Sequence, residues 1–491
     1  MAGKQTYFAS RWGILLALLG MAIGTGNIWR FPRVIGANGG AAFLIPYFIF
    51  LFTWAIPLLL IEFGIGKRIR RGPASAFATM RPGFGPLGLF VSLCTMVIMF
   101  YYAVVTGWCL KYLTAASGAR LYSDPQGYWN TFLQTSWQVG LFQVIAIGSA
   151  LWIVYKGVRG IERANKILMP ALFILLALAA LRAVLLPGAS AGLRFLFRPD
   201  FSLLLNANTW LEALAQVAWS TGAGWGLVVV YSIYMRPEED IAGAAGWTAL
   251  GDAAVALLAA TAILPTVFAV LAAPQARAAL GASNTGLTFI WIPQLFQQVP
   301  LGRFFLFLFF GSLFFAALSS LIAMVELSVR TLQDLGVPRT LSVGGVGVLA
   351  VLAGLPSALN VDFLNNQDGV WSIGLLFNGL FFALLVIRCG VEAFRQDFLN
   401  TPGNRFVIGR WFRWLVQYGI PLQFVVLMVW WLSESTQSDR WWNPLQGDSV
   451  GNYVGQIVLL LGVALALSKL FRARLRAPAV SPLENADAAN R

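Results

Sequence analysis

The chain has 491 residues, 58% hydrophobic and 14% aromatic but only 11% charged, with a mean hydropathy of +0.73. Soluble domains carry about 25% charged residues, so the composition excludes a string of ordinary globular domains and indicates a polytopic membrane protein. The net charge of +14 does not point to nucleic acid, because the basic residues sit at helix ends rather than in one patch. No histidine is present, which removes Ser-His-Asp triads, Cys-His pairs and HExxH zinc sites.

Apolar runs and their breakers predict twelve membrane-spanning helices, near 11–36, 41–68, 86–116, 137–156, 162–186, 206–235, 241–272, 301–334, 340–356, 367–392, 409–433 and 450–471. They are called spans one to twelve below. The first is not read as a signal peptide, since its apolar run continues past about 20 residues with no small-residue cleavage site. Cys94 and Cys109 fall on span three, about 22 Å apart and beyond disulfide reach. With Cys389 the only other cysteine, neither a disulfide framework nor a metal cluster is expected. Between spans seven and eight, the apolar stretch 274–298 with Leu287, Phe289, Ile290, Trp291 and Ile292 reads as a short hairpin capping a cavity. The tail 472–491, rich in Arg, Ala and Pro, reads as disordered.

Placing the N-terminus inside puts the larger share of the 34 Lys and Arg on the cytoplasmic side. Lys67, Arg68, Arg70, Arg71 and Arg81 fall in one such loop, and Lys156, Arg159, Arg163 and Lys166 in another. The expectation is an integral inner-membrane protein with both termini cytoplasmic.

Two spans carry segments that an uninterrupted lipid-facing helix does not favour. Span one contains Gly20-Met21-Ala22-Ile23-Gly24-Thr25-Gly26-Asn27, and span six contains Trp219-Ser220-Thr221-Gly222-Ala223-Gly224-Trp225-Gly226. Glycine costs about 1 kcal/mol in a helix relative to alanine. Clustered at mid-span, it suits a change from helix to extended backbone, which membranes tolerate only around a protein-lined cavity. Close packing through small residues is the alternative, and the spacing of Gly20 and Gly24 fits it.

The stretches GMAIGTGNIWRFP, GANGGAAFLIPY and LIEFGIG strongly resemble the neurotransmitter:sodium symporters, whose bacterial members carry amino acids. The resemblance covers nearly all twelve spans. It implies an all-α fold of two inverted five-helix repeats, spans 1–5 and 6–10, in which spans one and six are broken at mid-membrane. On that reading residues 1–471 form one transporter domain: repeat one at about 11–186, repeat two at about 206–392, and two extra helices at about 409–471.

The resemblance also implies sites. A first sodium would take Ala22, Asn27, Ser220 and Asp252, with the substrate carboxylate completing its shell. A second would take Gly20, Ile23, Ala316, Ser319 and Ser320, the last three within AALSSLIAMVE. Back-bonding to the preceding helical turn is the bland reading of the two serines. Substrate would contact Met21, Ala22, Thr25, Gly26, Ile98, Tyr102, Trp219, Ser220, Gly222, Trp225, Ser320 and Met324. Arg30 and Asp368 resemble an outer gate, with Tyr102 and Trp219 as aromatic lids, and Tyr234 and Asp334 an inner gate. The family's N-terminal arginine and tryptophan are replaced here by Lys4 or Gln5 and by Phe8. Gly160 and Pro170, within GIERANKILMP, match a motif linked in this family to unwinding of span five.

Asp252, Glu62 and Glu326 lie within predicted spans, where an unpaired charge costs about 2.5–3.5 kcal/mol. Asp252 departs from the family's commoner asparagine, and Ala256 stands where chloride-dependent relatives have a serine, so two sodium ions and no chloride are expected. Glu62 and Glu326 are expected to brace the broken segments by hydrogen bonding. Gly24 stands where amine-transporting relatives have aspartate, so the substrate should bring its own carboxylate. The leading function is sodium-coupled import of a small neutral amino acid. The alternatives are larger apolar or aromatic amino acids, or a receptor of the same fold that binds without transporting. An enzyme is disfavoured by the lack of any clustered nucleophile and base.

Overall fold

The computed structural model describes residues 7–401, 403–436 and 440–476, and these residues are helical with no strand among them. Among the described residues, ten helices are long and apolar enough to cross a membrane: Ala41–Ile69, Gly85–Ala115, Ser136–Tyr155, Gly157–Val184, Ile241–Val270, Gly302–Asp334, Arg339–Leu359, Val361–Cys389, Trp411–Ser435 and Val450–Leu470. Arg11–Ala22 and Gly26–Ala37 make an eleventh span, bent by 53° at its break. The expected span six is divided further, into Ala207–Ser220 and Leu227–Ser232 with non-helical backbone between them. Neither piece is long enough to cross alone.

Local chemistry explains the first boundaries. Ser10 caps span one, its hydroxyl accepting from the Gly13 amide at 3.0 Å. Span two carries Pro46 and, before Pro57, a π-helical turn at Leu51–Ala55. A proline has no N–H to donate to the preceding turn, and the wider turn absorbs the mismatch.

Burial separates centre from periphery. The most apolar windows of spans three and eight are 83% and 89% buried, against 22% and 17% for spans eleven and twelve. Spans three and eight therefore form the centre, against which the broken spans lie, while the last two present most of their surface to lipid. The stretch between spans seven and eight folds as short helical pieces, including Ala273–Leu280 and Ile292–Gln297. Its Phe289 is buried, stacked 5.1 Å from Trp129 and 6.0 Å from Phe310.

The disordered tail needs correction in part. Arg472–Arg476 is helical, with Leu475 buried and Arg474 donating to the Leu335 carbonyl at 2.8 Å. Arg71 adds bonds to the Arg474 and Leu475 carbonyls, which together with the buried leucine dock that turn. Residues 477–491 lie outside the described residues.

Gly66 fixes how span two meets the second half of span six. A Cβ there would lie 2.0 Å from Ser232 Oγ and 2.2 Å from the Val229 carbonyl oxygen. Gly66→Ala is expected to destabilise the protein by about 1–3 kcal/mol, the usual cost of overpacking. A lowered melting temperature in detergent checks this, with Gly246→Ala as control because open space surrounds that position.

Candidate functional site

The two breaks face each other. In span one the helix stops at Ala22, and Ile23 is extended at φ −75°, ψ 106°. The freed groups find side chains: the Gly24 amide donates to Asn27 Oδ1 at 3.0 Å, and the Thr25 amide donates to Tyr102 Oη at 3.0 Å. In span six Gly222, Gly224 and Gly226 all have positive φ, at 71°, 86° and 78°, where an L side chain is strained. Glu62 meets this break, its Oε1 accepting from the Gly224 amide at 2.6 Å. That is the bracing role expected of it.

Asn27, Ser220 and Asp252 form one buried oxygen cluster. Asn27 Nδ2 donates to Asp252 Oδ1 at 2.7 Å, and Ser220 Oγ donates to Asp252 Oδ2 at 3.1 Å. The Tyr47 hydroxyl is buried beside Asp252 and Ser220. On the opposite side, Ser320 Oγ reaches the carbonyls of Ile23, Met21 and Gly20 at 3.1, 3.3 and 3.4 Å. Ser319 behaves differently, its hydroxyl donating to Ala316 O at 2.9 Å within its own helix.

An enclosed space of about 20 Å³ lies between these clusters. Ten of the twelve expected substrate contacts line it: Met21, Ala22, Gly26, Tyr102, Trp219, Ser220, Gly222, Trp225, Ser320 and Met324. Gly24, Asn27 and Leu227 complete the lining. Thr25 and Ile98 are buried but absent from the wall. Thr25 presents its backbone to Tyr102 instead. The Trp219 and Trp225 rings meet edge to face at 5.3 Å, and Trp219 Nε1 donates to Ser372 Oγ on span ten.

The outer-gate residues are not paired with each other, and the inner-gate residues each bond a different partner. Arg30 and Asp368 form no ion pair: the Arg30 guanidinium lies 5.8 Å from the Trp219 ring centroid, and Asp368 accepts from Tyr101 Oη at 3.4 Å. Tyr234 does not bond Asp334 but donates to Glu326 Oε1 at 2.7 Å. Glu326 is in turn paired with Arg339 at 2.7 Å, so it ties span eight to the start of span nine rather than bracing a break. Asp334 pairs with Arg330 one turn earlier, at 3.4 Å. Phe8 is buried with its ring edge-on to Tyr231 and Tyr234, while Lys4 and Gln5 lie outside the described residues. Gly160 and Pro170 both sit in the continuous helix Gly157–Val184.

Three supporting residues escaped the sequence reading. Thr95 Oγ1 donates to the Trp225 carbonyl at 2.7 Å, and Gln216 Nε2 to the Gly26 carbonyl at 3.2 Å. Asn165 sets its amide oxygen, which has no hydrogen-bond partner, where a Cβ on Gly20 would lie 1.9 Å away. Thr95 and Gln216 are polar side chains in apolar stretches, the one signal that would have found them, whereas Asn165 sits among Glu162, Arg163 and Lys166 and carries no such signal.

The profile of the Sodium:neurotransmitter symporter family matches residues 5–132 and 130–473, almost the whole chain. The chain belongs to this family. It is therefore a sodium-coupled transporter and not an enzyme, and it is an integral membrane protein. An uncharacterized sodium-dependent transporter of Methanocaldococcus jannaschii is 35% identical over 67% of this chain and 70% of its own length. The sodium-dependent neutral amino acid transporter B(0)AT3 of Rattus norvegicus is 28% identical over 88% of this chain and 85% of its own. Among solved structures, MhsT in complex with L-phenylalanine superposes with a TM-score of 0.77 at 31% identity, covering 86% of this chain and 99% of MhsT.

The Glu62 contact generates a prediction. Glu62→Gln keeps an acceptor for the Gly224 amide and should stay folded, whereas Glu62→Leu leaves that buried amide unsatisfied, at a cost of roughly 1–3 kcal/mol. Melting curves in detergent should order the wild type and Gln variant above the Leu variant. A Leu variant as stable as wild type would refute the bracing role.

Proposed function

We propose that this transporter imports a small neutral amino acid together with two sodium ions, and without chloride. The observation that carries this reading is the enclosed space where the broken backbone of span one meets Ser220 on one side and Ser320 on the other. Sodium is a hard cation that favours oxygen donors. The first ion would sit among Ala22, Asn27, Ser220 and Asp252, and the substrate carboxylate would join it. The second would sit among the carbonyls of Gly20, Ile23 and Ala316 and the hydroxyls of Ser319 and Ser320. Ser319 must then turn from its bond to Ala316 so that its lone pairs face the ion.

Asp252 supports chloride independence. It is a fully buried carboxylate beside Asn27 and Ser220, and with sodium bound beside it this group would supply the negative charge that chloride otherwise provides. Ala256, buried one turn along the same helix, offers an anion no hydrogen bond. Two like charges in so dry a site would repel.

The lining carries no side chain of formal charge, so acidic and basic substrates would lose hydration without gaining a partner. Two indoles and two methionines fill the space opposite Gly222, whose Cβ would touch Met21 Cε at 3.4 Å, which favours glycine or alanine. The second reading is a larger apolar or aromatic substrate. It is favoured by the unbranched Met21 and Met324, which repack readily, and by the L-phenylalanine in complex with MhsT.

Orientation, domain organisation and gating belong to the same proposal. The positive-inside distribution supports an inner-membrane protein with both termini in the cytoplasm. Residues up to 471 form one transport domain of two inverted repeats and two added helices. Arg30 and Asp368 would close toward each other above the substrate, with Tyr102 and Trp219 as aromatic lids. Tyr234 and Asp334 would guard the opposite side.

Two measurements test the proposal. Uptake into proteoliposomes should require sodium, vanish in the folded Asn27→Ala variant, and change little when gluconate replaces chloride. Equal uptake in potassium buffer would overturn the coupling, and a several-fold loss in gluconate the chloride assignment. Protein that binds but does not accumulate substrate would be a receptor. In competition with unlabelled amino acids, alanine should inhibit more strongly than leucine, phenylalanine or tryptophan. The reverse order selects the larger-substrate reading, and inhibition by glutamate or lysine rejects neutrality.

A further inference from the structure

A second concavity lies away from the transport site, on the lateral surface where span four ends and span five begins. It is a groove of about 360 Å³ with apolar walls from Trp152, Ile153, Ile167, Leu168 and Leu318. Its mouth carries three cations, Lys156, Arg159 and Arg163, all exposed. Arg159 and Arg163 are four residues apart on one helix and share a face. Lys156 Nζ lies 3.3 Å from the Trp152 ring centroid.

None of the three pairs with a carboxylate among the described residues. The acidic residue nearest in sequence, Glu162, is already engaged by Lys166 at 2.6 Å, the Ala9 amide at 2.7 Å and Ser10 at 3.0 Å. The cluster is thus a concentrated positive charge with no counter-ion among the described residues. It stands at the end of two membrane-crossing helices and opens onto a hydrocarbon-lined channel.

We propose that this groove binds one anionic phospholipid. The phosphate rests on Arg159, Arg163 and Lys156, and one acyl chain lies along Ile167 and Leu318. The charge is complementary to an anionic leaflet, where each surface cation adds substantially to lipid attraction, and arginine pairs with phosphate through two N–H groups. A soluble phosphate matches the mouth but leaves the apolar walls unused. The indole of Trp152, 63% exposed, suits the boundary between head groups and chains. The groove also has a structural consequence. Leu318 at its inner wall precedes Ser319 and Ser320, so a bound chain would press on the helical turn whose other face meets Gly20 and Ile23.

The test uses native mass spectrometry of the full chain in detergent, titrated with phosphatidylglycerol, with phosphatidylcholine of the same chains, and with inorganic phosphate. One phosphatidylglycerol should be retained in preference to phosphatidylcholine. Retention should weaken about thirtyfold in Arg159→Gln/Arg163→Gln, which removes two surface cations. The control Arg68→Gln/Arg405→Gln loses the same charge at other exposed positions and should bind as the wild type does. Ile167→Trp keeps every cation but fills the groove and should also lose the lipid. Melting curves without added lipid establish that each variant is folded. Equal retention in both double variants, or equal binding of the two lipids, would overturn the proposal. So would competition by inorganic phosphate that is unaffected by Ile167→Trp, since that marks a free-phosphate site. Because lipid retention requires no transport, a negative result here leaves the sodium and substrate assignments standing, and failed uptake leaves the lipid site standing.

Discussion

Backbone that leaves its helix inside a membrane must find hydrogen-bond partners from the protein itself, because hydrocarbon supplies none. Two broken spans face this requirement at the same depth, and the surrounding molecule is arranged to meet it. Asn27 and Tyr102 take the amides freed in span one. Glu62 takes an amide in span six, and Thr95 and Gln216 donate to carbonyls in the two breaks. These partners come from spans one, two, three and six. The breaks are therefore fixed from several directions at once, and their positions cannot shift independently.

The same requirement explains why the site is rich in oxygen and poor in charge. Carbonyls released from a helix are neutral ligands held at fixed positions by their neighbours. Asp252 is the exception, and its two oxygens are both engaged, one by Asn27 and one by Ser220. A buried carboxylate is tolerable when its lone pairs are satisfied in this way.

How much of this was legible in the sequence follows from the range of each signal. The breaks were legible because glycines at positions 222, 224 and 226 are a local signature, and all three adopt left-handed backbone. The twelve apolar runs were likewise readable, although hydropathy alone could not show that span six is two short helices. Long-range pairing was less accessible. Tyr234 meets Glu326, a carboxylate that Arg339, thirteen residues further along, returns on the next helix to hold. Nothing in a linear spacing reports such a return. The same holds for Asn165, whose contact with Gly20 joins spans one and five. Thr25 and Ile98 were expected at the cavity wall from the resemblance, but Thr25 turns its backbone amide to Tyr102 at the break, and Ile98 is buried within span three away from the wall.

Gly24 shows what this tight arrangement means for the diversification of such proteins. A Cβ at that position would lie 2.8 Å from both Ser320 Oγ and Tyr102 Oη, each of which already holds the broken segment. A carboxylate introduced there to greet a substrate amine would displace the hydroxyls that keep the backbone open. A side chain at position 24 is therefore accepted only together with a shift of Tyr102 and Ser320, the two hydroxyls that hold the backbone.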